Sequence, residues 1–126
     1  MNHAAHVKLG WEYLQRYPLP EAIARFREAL QCFAAANGAT DKYHETITWA
    51  YLLLIHERMQ RTGDGAADFD AFAAANPDLF DWNDSVLSRY YRADTLASDL
   101  ARRVFVFPDG AQNDPDTAKP VADPST

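Results

Sequence analysis

Four histidines, His3, His6, His44 and His56, carry most of the reactive potential of this 126-residue chain. Neutral imidazole ligates zinc, iron, nickel or copper, and it gains or loses a proton near neutral pH. His3 and His6 stand three apart, so in a helix they share a side with Gly10 and Leu14. His44 and Glu45 head a long apolar segment, with Ile47, Thr48 and Tyr51 on the helical face below His44. Three imidazoles gathered at one point would hold a metal and leave a position open for water or substrate. The pattern therefore predicts His3, His6 and His44 as ligands of a divalent transition metal (Zn, Fe, Ni or Cu). His44 and Glu45 would be the catalytic pair, with Glu45 a fourth ligand or a general base acting through bound water. Without a metal the same residues would relay protons, His44 as the base and Glu45 orienting it. The plainer alternative leaves His3 and His6 solvated at the start of the chain and makes His44 a core residue bonded to Tyr13 or Tyr51.

Other candidates carry less. Tyr43, Thr46 and Thr48 could orient a bound group, but helical threonines commonly bond back to their own backbone. Arg89, Tyr90, Tyr91 and Arg92 read as half core and half solvated face. Cys32 has no neighbouring base to activate it and reads as a packing residue. Neither a glycine-rich phosphate loop nor a nucleophile elbow is visible.

For the histidines to meet, helices must bring them together. The spacing predicts a first helix from about residue 3 to Tyr17, capped by Asn2 and stopped by Pro18. A second opens at Pro20 and closes at Gly38, with Ala22, Phe26, Ala29, Leu30 and Phe33 as its apolar face. A third follows Asp41, its expected N-cap, and runs to about Gln60; Ile47–Ile55 is apolar nearly all round, which suits a central helix. Shorter helices are expected near 67–76, 85–91 and 98–104, and no segment has a convincing strand pattern. Short connections make helices 1 and 3 parallel, so His3, His6 and His44 should lie at one end of the bundle. His56, twelve residues beyond His44 and roughly 18 Å along the axis, should not join them.

The fold expected is thus all-α, a compact bundle of about five helices over residues 1–107. Its first hairpin resembles a tetratricopeptide unit: Leu9-Gly10, Tyr13, Ala22, Phe26 and Ala29 match that repeat's spacing, and Gly10 and Ala22 would let two helices approach closely. Two longer stretches, Asn2-His3-Ala4-Ala5-His6-Val7-Lys8-Leu9 and Tyr43-His44-Glu45-Thr46-Ile47-Thr48, resemble the hallmark segments of a small bacterial family of uncharacterised helical proteins. That resemblance spans residues 2–107 and implies no activity, substrate or cofactor.

Composition narrows the partners. Net charge is −6, and no basic stripe marks a nucleic-acid surface. No apolar run is long enough to span a membrane, and a single cysteine fits a reducing cytoplasm. Residues 108–126 lack large apolar side chains apart from Val121 and read as a disordered acidic tail. The leading expectation is a small metal-dependent enzyme or metal-binding protein acting on a small molecule. One alternative is a tetratricopeptide-like interaction module, which a homodimer would complete; the other is metal-free histidine acid–base chemistry.

Overall fold

The computed structural model describes residues 2–62 and 68–110. Within them the chain is all-helical, with no strand. The helices are α1 (His3–Arg16), α2 (Leu19–Ala36), α3 (Glu45–Thr62), α4 (Phe69–Ala75), α5 (Ala93–Leu96) and α6 (Asp99–Arg103). Single 3₁₀ turns at Thr40–Lys42, Pro77–Phe80 and Val86–Arg89 connect them.

Local chemistry sets the boundaries. The Asn2 side chain accepts from Ala5 N at 2.9 Å and caps α1, and Pro18 prevents its continuation. Gly38 takes φ 65°, the left-handed conformation that ends α2 without a Cβ penalty. Asp41 does not cap α3. It lies in the 3₁₀ turn, and His44 takes that role: its carbonyl accepts from Thr48 N, and its ring Nδ1 accepts from Ile47 N at 3.1 Å. A histidine cap is absent from ordinary capping preferences, so the sequence pointed to the wrong residue. The expected helix at 85–91 is a 3₁₀ turn capped by Ser85, and α5 was not anticipated.

α1 runs antiparallel to α2: His6 meets Phe33, and Gly10 faces Phe26. It runs parallel to α3: His3 meets Tyr51, and Gly10 faces Leu52 and Ile55. A Cβ on Gly10 would sit 3.1 Å from Leu52 Cδ1 and 3.2 Å from Ile55 Cδ1, so the absent side chain sets this crossing. α3 is the central element and packs on α1, α2 and α6. Its buried Leu52 and Ile55 join Val7, Phe26, Phe72 and Leu79 in the core. Complete burial of each such side chain is worth ~1.5–3 kcal/mol.

The last described segment crosses the head of α3. Thr46, fully buried, donates from Oγ1 to Val104 O and accepts from Val106 N, so Val104–Val106 is tied to a side chain rather than to a strand. Gly110 N donates to Tyr90 O at 2.7 Å, and Asp109 accepts from Arg92 N and from Thr95 Oγ1. The tail expected from residue 108 therefore begins with residues bonded to the body; 111–126 lie outside the described residues.

Candidate functional site

A cavity of about 470 Å³ opens between α1, α2 and the first half of α3. Val7, Phe26, Tyr51 and Ile55, all buried, form its floor; Leu30, Phe33 and Ile47 continue the apolar wall. Exposed Asn37, Lys42 and Trp82 stand on its outer lining. His3, His6 and His44 all line it. The parallel arrangement of α1 and α3 thus brings the three histidines to one space.

They do not form a metal site. His3 packs edge-on against Tyr51, ring centroids 4.8 Å apart, and its Nε2 is already engaged with Leu79 O at 2.8 Å. Each ligand must also bring a free lone pair to ~2 Å of the metal. His44 has none to offer: Nδ1 accepts from Ile47 N, which places the ring proton on Nε2, and Nε2 donates to Leu96 O at 2.8 Å. Among the described residues no group of three His, Cys, Asp or Glu side chains is placed to hold a metal ion. Neither Tyr13 nor Tyr51 bonds His44; the partner is the carbonyl of Leu96 at the end of α5.

Glu45 is equally committed. Its Oε1 accepts from Arg27 Nε at 2.8 Å, Tyr43 Oη at 2.7 Å and Trp49 Nε1 at 3.2 Å, while Oε2 accepts from Arg27 Nη2 at 2.7 Å. The Arg27 guanidinium holds this carboxyl below its ordinary range. Burial and the bond to Glu45 push the Tyr43 phenol up to about 12. A carboxylate with four donors on it, held in its charged form, is a poor general base. Glu45 is a structural clamp between α2 and α3, and it does not line the cavity.

Each histidine is set by a different support. His3 Nε2 meets Leu79 O at 2.8 Å. The 3₁₀ turn carrying Leu79 is held in turn by Arg58, which donates to Asn76 and to both oxygens of Asp78. His3 also packs against Trp82, ring centroids 4.9 Å apart. His44 depends on α5, which Asp109 anchors through Thr95 and Arg92 N.

His6 is different. Two buried side-chain nitrogens among the described residues have no hydrogen-bond partner, His6 Nε2 and Trp11 Nε1, and only His6 lines the cavity. Burial, reinforced by the neighbouring His3, lowers the His6 pKa and favours the neutral ring. Three hydroxyls of the wall are used internally: Thr48 Oγ1 donates to His44 O, Tyr43 to Glu45, and Tyr51 pairs with Ser85 at 2.7 Å. Sequence reasoning had singled out His6 beside His3 and His44 as a metal ligand, and it had read Phe26, Leu30 and Phe33 as the apolar face of the second helix; all three line the cavity, and Phe26 is also core. Lys42 and Trp82 carried no pattern that would have found them.

No helix among the described residues is long and apolar enough to cross a membrane. No family model, curated protein or solved structure matches the chain.

Proposed function

We propose that this protein binds a small, largely apolar molecule in the cavity between α1, α2 and α3, with His6 Nε2 making the inner hydrogen bond. The observation that carries this reading is a buried, unpartnered ring nitrogen on His6, a residue that lines a largely apolar cavity. A buried polar atom without a partner costs ~1–3 kcal/mol, which a ligand group bonded to it would recover. The size suits the reading, since cavities of about 300–1,000 Å³ with few polar groups are the usual form of small-molecule sites. The histidines then serve as wall and anchor: His3 and His44 are locked by backbone partners, and His6 is left for the ligand.

The test uses 2-naphthol, a flat apolar probe with one hydroxyl. Titration followed by tryptophan fluorescence should show saturable one-site binding, because Trp82 borders the cavity. Replacing Ala34, a half-buried lining residue, by tryptophan should fill the space and abolish binding while the helical circular dichroism is retained. Absence of saturable binding to the folded protein, or binding undiminished in Ala34→Trp, would overturn the proposal.

A further inference from the structure

We infer that the ligand is an organic anion, an apolar body bearing an inner hydroxyl that meets His6 and one carboxylate at its other end, and that Lys42 selects it by pairing with that carboxylate at the cavity's outer lining. This rests on the ligand-binding reading above and adds the charge class. Among the residues lining the cavity, Lys42 is the only one with a permanent charge, and there is no aspartate or glutamate. Lys42 is exposed and makes no ion pair among the described residues, although the chain as a whole carries −6. The nearest carboxylate in sequence beyond the turn, Glu45, is occupied by Arg27, so it does not neutralise Lys42.

Position supports the same assignment. Lys42 ends the 3₁₀ turn Thr40–Lys42, and this turn follows Gly38 and Ala39 at the close of α2. Lys42 N donates to Ala39 O at 2.9 Å, which fixes the root of the side chain. Buried apolar residues and this exposed lysine line the same cavity. An amphipathic acid satisfies both: its body replaces water over Phe26, Val7 and Ile55, and its carboxylate remains near solvent, where its desolvation cost is small. A cation would face the lysine, and a neutral molecule would leave the lysine unused.

Isothermal titration of the full chain with 6-hydroxy-2-naphthoate and 2-naphthol, which share the ring system and the hydroxyl, isolates the contribution of the carboxylate. The wild type should prefer the carboxylate roughly fivefold, the scale of a solvent-exposed ion pair, and the preference should shrink in high salt. Lys42→Met should bring the ratio of the two affinities to about one. Lys8→Met, which removes the same charge from a lysine off the cavity, should keep it. Equal binding of both probes to the wild type, or a ratio unchanged in Lys42→Met, would overturn the anion assignment and leave the ligand-binding reading standing. Failure of both probes to bind would overturn both.

Discussion

Replacing His44 tests whether it is a cap or a ligand. His44→Ala removes the acceptor of Ile47 N and the donor to Leu96 O. Loss of an N-cap costs ~1 kcal/mol, and loss of a partly buried hydrogen bond about as much again. The variant should therefore be about 2 kcal/mol less stable, a fall in midpoint on the order of 10 °C for a domain of this size. His44→Asn supplies a side-chain oxygen for Ile47 N but does not reach Leu96, and should recover about half of that loss. Urea unfolding followed by circular dichroism reads both values, and a chelator should not change either difference. A wild type that falls to the level of His44→Ala on chelation would refute the capping account, as would an asparagine variant no better than alanine.

Acid should weaken the fold in two stages. The His6 pKa is lowered, so its contribution to stability is present above ~6.5 and is lost as pH falls towards its folded value. Asp78, held at about 2 by Arg58 and then Arg89, contributes stability present above ~4 that is lost between pH 4 and 2. Unfolding free energies across this range should lose the first stage in His6→Leu, while Asp78→Asn should shrink the second and leave the part that Glu45 contributes; a pH profile unchanged in either variant would contradict the assignment. Gly110→Ala places a Cβ 2.6 Å from the Tyr90 carbonyl carbon, where backbone must move, and should break the Gly110–Tyr90 bond. Stability should fall by ~1 kcal/mol, and faster exchange of the Gly110 amide should report the release; a variant as stable and as protected as the wild type would argue against the anchor.

The helical bundle was legible because α1, α2 and α3 each carry a periodic apolar face and recognisable stops, Pro18 and Gly38 among them. Parallel packing of α1 and α3 followed from connection length. The close seating of Gly10 against Leu52 and Ile55 did not, because it is a tertiary fit that periodicity does not encode. The histidines were visible as residue types, but their partners were not: Leu79 O and Leu96 O are backbone carbonyls, which carry no sequence signature. Glu45 drew attention beside His44, yet neighbours in sequence lie about 100° apart on a helix. Its carboxylate turns to Arg27 on α2 while the His44 ring borders the cavity. Lys42 was hidden because a single lysine in a turn carries no spacing pattern; only the fold sets it among lining residues that include no carboxylate.

The central claim, a ligand site between α1, α2 and α3, is met most directly by ¹H–¹⁵N correlation spectra of the wild type titrated with 2-naphthol. Saturable shifts should centre on the amides of Val7, Phe26, Leu30 and Ile55, and the His6 side chain should move with the same affinity. Shifts that stay linear in probe concentration, or that gather instead around Leu87, Tyr91 and Phe105 on the far side of α3, would contradict the account.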